Sequence, residues 1–293
     1  MSTVLDLRPG QAAGGAGTLG LGCSRLGSTL GGARGADAHR LLRHALDQGI
    51  TLFDTADIYG QGESERLLGA ALRADRGRVT IVTKAGQRFT AAQRAVTLVK
   101  RPLGLLARAL PGLKRGIAAR RAASLPRDYS AAHLQRSIEG SLKRLGTDRI
   151  DLFLLHSPDA AAVEAGDGFA MLDDLRLAGT LGGWGISVDD LPAARAALRL
   201  PGLAGLQIPL VLAGALRPEI AVFVARGGRL MLREIFAGQA ADAASREAAI
   251  AAALAWTGAT ALVGTTSIRH LDEAVRQAAA HGWRRPDASE SRA

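Results

Sequence analysis

Cysteine is nearly absent. Cys23 is the one copy in 293 residues, so no disulfide can form within the chain and a reducing compartment is expected. Long apolar runs are missing as well. Arg or Lys interrupts each one before it reaches the roughly 20 residues that span a bilayer. The first ten residues, MSTVLDLRPG, carry no basic stretch followed by an apolar one, so no signal peptide is expected. These absences lead to the expectation of a soluble, cytoplasmic protein.

Acidic residues are missing from residues 85–127, which hold ten cations: Arg88, Arg94, Lys100, Arg101, Arg108, Lys114, Arg115, Arg120, Arg121 and Arg127. The whole chain has 37 Lys and Arg against 27 Asp and Glu, a net charge of +10. Outside that segment the two signs balance, so the pI near 10.9 is a local property. It does not describe a basic surface spread over the whole fold.

What the sequence does contain is an alternation of short β-branched or leucine-rich runs with longer segments of helical period. Strands are predicted at 18–21, 50–53, 78–83, 150–155, 181–186, 203–207, 229–232 and 260–263. Helices are predicted at 37–48, 64–74, 130–145, 168–178, 191–198, 217–225, 245–256 and 268–281. Ser64 and Ser130 read as helix starts. Gly49, Gly146, Gly179 and Gly258 follow helical runs, where a left-handed residue is expected. Successive strand starts lie 22–32 residues apart except across one gap of 72. That spacing predicts an α/β protein, a (β/α)8 TIM barrel forming one domain over 1–293, with a basic insertion after strand 3 at about 87–128. The rival is a doubly wound open sheet, which needs a glycine-rich phosphate turn after an early strand. GLGCSRLG at 20–27 is only a loose match in a chain with 36 glycines.

Barrel enzymes place their chemistry at the C-terminal ends of strands. Those ends carry Asp54 after strand 2, Lys84 after strand 3 and His156 after strand 4, with Tyr59 five residues beyond Asp54. Each has a structural reading when taken singly: a turn cap, a strand-end cover, a core histidine. Their coincidence at one mouth points instead to a catalytic group.

The surrounding sequences strengthen this. LFDTADIYGQGESERLLGAAL at 52–72, VTKAG at 82–86 and SLKRLGTDRIDLFLLH at 141–156 resemble the signatures of the aldo-keto reductases. WGIS at 184–187, LQIPL at 206–210 and LVGTTSIRHLDEA at 262–274 continue the resemblance in register. It covers nearly the whole chain except the insertion and the first 15 or so residues. The resemblance implies NADPH-dependent reduction of an aldehyde or ketone to an alcohol. Tyr59 is then the general acid, and His156 orients the carbonyl. Lys84 is expected to lower the tyrosine pKa from its ordinary value of about 10, with Asp54 holding the ammonium. No metal is expected.

The same resemblance assigns the cofactor contacts. Ser187 and Gln207 match residues that hold the nicotinamide carboxamide. Arg233 stands where a flat group stacks on the nicotinamide, although a pair with the adjacent Glu234 is an equal reading. Gly22 and Cys23, after strand 1, fall near the cofactor, and a buried structural thiol is the alternative for Cys23. Gly264, Thr265 and Thr266 open the last helix, where backbone N–H groups suit the 2′-phosphate. Arg269 and His270 are the nearby cations, and Glu273 matches an adenine contact. Val188, Thr266 and Ala274 depart from the family pattern of Asn, Arg or Lys, and Asn, which leaves NADH open beside NADPH.

The insertion interleaves leucines with cations, and Pro102 and Pro111 break it into short helices. Three readings stand: a solvated lid, a cationic funnel for an anionic carbonyl substrate, and a peripheral membrane or acidic-partner contact through 88–127. Nucleic acid ranks last, because Phe89 is the only aromatic available for stacking. Its cations are expected at the pocket mouth. Two other functions compete with carbonyl reduction. One is an aldolase using Lys84 as a Schiff-base nucleophile; the other is a non-catalytic, cofactor-binding interaction subunit that docks through the insertion. No motif names the substrate or the oligomeric state.

Overall fold

The computed structural model describes residues 17–28, 32–89, 125–239 and 242–285. Eight parallel strands close into a barrel in sequence order, and β8 returns to pair with β1. They are β1 (Thr18–Gly22), β2 (Leu52–Asp54), β3 (Thr80–Ala85), β4 (Leu152–His156), β5 (Trp184–Ser187), β6 (Gly205–Pro209), β7 (Arg229–Arg233) and β8 (Ala259–Gly264). The described helices are α1 (Gly35–Asp47), α2 (Glu63–Leu72), α3 (Ala131–Leu145), α4 (Ala160–Ala165), α5 (Phe169–Leu177), α6 (Leu191–Leu198), α7 (Leu210–Ala213), α8 (Arg217–Ala225), α9 (Ala243–Leu254) and α10 (Ile268–Ala280). Every predicted strand and helix has a counterpart. Helices α4 and α7 were not foreseen, being too short for a helical period to show. No described helix is long and apolar enough to cross a membrane.

The predicted helix stops hold: Gly49, Gly146, Gly179 and Gly258 all take positive φ. Of the two serine starts, Ser130 holds as a position and Ser64 needs correction. Ser64 lies inside α2, where its hydroxyl donates to the Cys23 carbonyl and accepts from Thr55. It ties α2 to the ends of β1 and β2 instead of capping. Ser130 does precede α3, but its side chain is held by the Asp128 carboxylate at 2.7 Å and caps no helical N–H.

Strand side chains alternate between two cores. Phe53, Ile81, Phe153, Leu155, Ile186 and Leu206 face outward into the layer shared with the helices. Leu52, Val82, Leu152, Leu154, Met231 and Leu262 form a separate cluster inside the barrel. The lumen is tight: a Cβ on Gly205 would come within 2.7 Å of the Leu152 side chain, which would have to shift to admit it. The inward parity then decides what appears at the mouth. Two residues beyond Leu52, Val82, Leu154, Met231 and Leu262 stand Asp54, Lys84, His156, Arg233 and Gly264.

The basic insertion follows β3, and residues 90–124 lie outside the described residues. So does most of the expectation that its cations reach the mouth. Its two feet are described, and they are zipped together. Gln87 and Arg127 form an antiparallel bridge, Arg88 N–H donates to Pro126 O and Asp128 N–H to Gly86 O, and Arg88 pairs with Asp128 at 2.7 Å.

Candidate active site

The parity of the strands gathers the predicted catalytic residues at one end of the lumen. Lys84 is 1% exposed, and its ammonium donates to Asp54 Oδ1 at 2.7 Å and to the Thr55 carbonyl at 2.8 Å. Tyr59 begins the single turn Tyr59–Gln61, on a loop tied to β3 because Asp57 N–H donates to Lys84 O. Its ring centroid lies 5.1 Å from Lys84 Nζ and 5.8 Å from the His156 ring, edge to face. Asp54, Tyr59, Lys84 and His156 therefore form one contiguous group.

Burial sets the electrostatics of this group. Burial works against the Lys84 ammonium, but Asp54 and the Tyr59 hydroxyl outweigh it, and the lysine titrates above its ordinary value. Lys84 is thus a held cation, not the neutral amine that a Schiff-base nucleophile requires. His156 is driven well below its ordinary value by burial and by the cations Lys84, Arg233 and Arg127, so its imidazole is neutral. Its Nδ1 has no hydrogen-bond partner.

One expectation holds only in part. Lys84 does pull the Tyr59 pKa down, but burial of the phenol pushes harder, and the net shift is upward. The hydroxyl keeps its proton at neutral pH, which is the state a proton donor must start from.

A chain of polar bonds continues across the mouth. Ser187 Oγ donates to Gln207 Oε1 at 2.8 Å, and Gln207 Nε2 donates to Asp54 Oδ1 at 2.8 Å. The serine oxygen lone pairs and the second amide N–H of Gln207 are chemically matched to a carboxamide, which needs one acceptor and one donor. Arg233 donates to Val188 O at 2.9 Å and pairs with Asp189 and Glu234, so the carboxylate reading of this arginine describes its present bonds. Cys23 is buried, its thiol aimed at Leu21 O and raised in pKa by burial, with its N–H on Asp54 O. Gly22 pairs with Asp54 on one side and Gly264 on the other.

Beyond Gly264 the candidate cofactor residues divide. Gly264, Thr265, His270 and Glu273 line a cavity of about 110 Å³ with Phe236, Arg246, Ala274 and Gln277. Thr266 turns into a separate cavity of about 420 Å³ with Arg40 and Arg269. Sequence reasoning missed Arg246, whose guanidinium bonds Glu273 at 2.7 Å. The residues are 27 apart, and no local signal joins them. It also missed Asp57, half-buried with its unpartnered Oδ1 sealed from solvent and raised to about 8 by burial and by Glu65. Asp57 lies two residues from Tyr59 inside a quoted motif, so its neighbourhood was visible. Among the described residues, no cluster of His, Cys, Asp or Glu is arranged to hold a metal ion.

Residues 18–209 match the Aldo/keto reductase family. The chain belongs to this family. Aldo-keto reductases are NAD(P)H-dependent oxidoreductases. A pyridoxal 4-dehydrogenase from Microbacterium luteolum is 35% identical over 195 residues, 61% of this chain and 54% of that protein. The chain spans about half the length, or less, of the curated relatives it matches first. A Pseudomonas aeruginosa crystal structure assigned to the aldo-keto reductases is 30% identical, with a TM-score of 0.70, and the match covers 96% of this chain and 98% of that one. A Klebsiella pneumoniae aldo-keto reductase in complex with NADPH has a TM-score of 0.62 at 20% identity, over 94% and 92% of the two chains. It shares the fold.

Proposed function

We propose that this aldo-keto reductase reduces an aldehyde or ketone to an alcohol with NADPH, Tyr59 delivering the proton. The observation that carries the reading is the buried Asp54–Lys84 pair set beside a protonated Tyr59 and a neutral His156. A bound nicotinamide supplies hydride to the carbonyl carbon. Every other role falls to the chain. The His156 imidazole N–H donates to the carbonyl oxygen and fixes its direction. As negative charge grows on that oxygen, Tyr59 transfers its phenolic proton to it. Lys84, held by Asp54, stabilises the phenolate left behind.

The residues present fit a nicotinamide nucleotide. Ser187 and Gln207 offer the carboxamide its donor and acceptor. Arg246 offers a cation, and His270 a ring nitrogen, to a phosphate beside the N-terminus of α10.

The test is Tyr59→Phe, assayed for NADPH oxidation against a panel of neutral and carboxylated aldehydes, with NADPH affinity followed by protein fluorescence. Loss of turnover by at least about 10²-fold at unchanged NADPH affinity is expected. Undiminished turnover refutes the mechanism.

A further inference from the structure

The chain has two tyrosines. Tyr59 is the proposed acid. The other, Tyr129, stands at the second foot of the basic insertion, and it too reaches the site. Its hydroxyl donates to the backbone carbonyl of His156 at 2.9 Å, in a buried setting. Its ring lies against Gly86, two residues past Lys84, where φ is +119° and an added Cβ would stand 2.2 Å from Tyr129 Cε1. Asp128 N–H donates to the Gly86 carbonyl at 2.8 Å and closes this contact from the other side.

The carbonyl that Tyr129 holds belongs to an unusual peptide. Ser157, the next residue, is a buried non-glycine with φ of +56°, a conformation that costs energy and persists only where surrounding bonds impose it. The bonds that impose it are Ser157 N–H to Ser187 O at 2.8 Å and Tyr129 to His156 O. The imidazole lacks a partner at Nδ1. A histidine whose ring is usually steered through Nδ1 is therefore steered through its main chain.

We propose that Tyr129 is a positioning residue for carbonyl reduction, holding the His156 peptide so that the imidazole faces the substrate oxygen. This rests on the reductase reading above. Burial pushes the Tyr129 hydroxyl well above the ordinary tyrosine value, so it stays a donor over the working pH range.

Tyr129→Phe keeps the ring on Gly86 and removes one hydroxyl, so the fold is retained. The expected result is kcat lower by about ten-fold with NADPH affinity unchanged. The His156 ring ¹⁵N signals, assigned by their loss in His156→Gln, should shift or broaden as the ring takes more than one orientation. The double variant Tyr129→Phe/His156→Gln should turn over no more slowly than His156→Gln alone, since Tyr129 acts through that histidine. Wild-type kcat in Tyr129→Phe overturns the proposal. So do multiplicative losses in the double variant, which would assign the tyrosine an independent structural role. Should the wild-type protein reduce no carbonyl, the reductase reading fails by itself. The ¹⁵N comparison then decides the positioning claim, and unchanged His156 signals in Tyr129→Phe overturn it.

Discussion

Replacing Lys84 by Met keeps most of the stem that fills the barrel mouth and deletes one charge. The ammonium makes two bonds, to Asp54 Oδ1 at 2.7 Å and to Thr55 O at 2.8 Å, and the two side chains of the pair are 1% and 8% exposed. After the change Asp54 retains the Gln207 amide as its donor, and the Thr55 carbonyl loses its side-chain donor. Removing one member of a buried pair costs about 3–5 kcal/mol, because the remaining charge is stranded in a medium that solvates it poorly. For a chain of this length the unfolding entropy is about 0.6 kcal/mol per kelvin, so the melting temperature should fall by roughly 5–8 °C at neutral pH.

The pH dependence separates a stranded charge from a simple packing defect. In the variant the Asp54 carboxylate has lost its cation, and taking up a proton removes the stranded charge. The penalty should shrink as pH falls toward the ordinary carboxylate value near 4. Circular dichroism melts of wild type and Lys84→Met at pH 7.5 and 5 supply the test. A deficit under about 2 °C at the higher pH, below what a buried pair implies, refutes the argument. A deficit of equal size at both pH values would mean that lost packing, not the Asp54 charge, sets the cost.

The Glu65–Arg144 pair behind the site should behave in the same way. Glu65 is fully buried and accepts from Thr83 Oγ1 and Arg144 Nε, each at 2.6 Å. Arg144→Met should therefore lose about 3 kcal/mol in urea unfolding, and adding Glu65→Gln should recover part of it; a double variant weaker than the single refutes the pairing. Asp57 gives a pH signature of its own. Its folded pKa of about 8 lies above the unfolded value of 3.8, so the folded state binds the extra proton between the two. Wild-type stability should fall as pH rises through that window, by about 1.4 kcal/mol per pH unit from this group. Asp57→Asn should remove that slope, and parallel wild-type and variant stability curves between pH 5 and 8 would count against it.

How far the sequence carried depended on whether a property was periodic or three-dimensional. The barrel was legible because alternation and spacing are one-dimensional signals: strand and helix recur eight times, and four of the helical runs end on a glycine. The grouping of Asp54, Lys84 and His156 was legible because strand ends in a barrel converge. The direction of the Tyr59 shift was not, since it turns on a contest between Lys84 and burial that only packing decides. The hold of Tyr129 on His156 was also hidden, as the two residues come from opposite ends of α3 and β4 and meet through a main-chain oxygen. So was the pairing of Arg246 with Glu273 across two helices.

Parity offers a sharper reading than strand ends alone. In a closed barrel, residues two apart on one strand point into the same lumen, and the lumen changes from dry to wet at its mouth. A strand should therefore show an apolar inward residue followed two positions later by a polar one or a glycine. Leu52 with Asp54, Val82 with Lys84, Leu154 with His156, Met231 with Arg233 and Leu262 with Gly264 all follow this step, with the first member of each pair in the inner core. Gly185 with Ser187 and Gly205 with Gln207 follow it with glycine below, because Leu152 already fills the space at Gly205. The site residues on these strands thus follow one geometric rule: each is an inward-facing position toward the mouth end of its strand. Tyr59 and Tyr129 escape the rule because they reach the same mouth from loops.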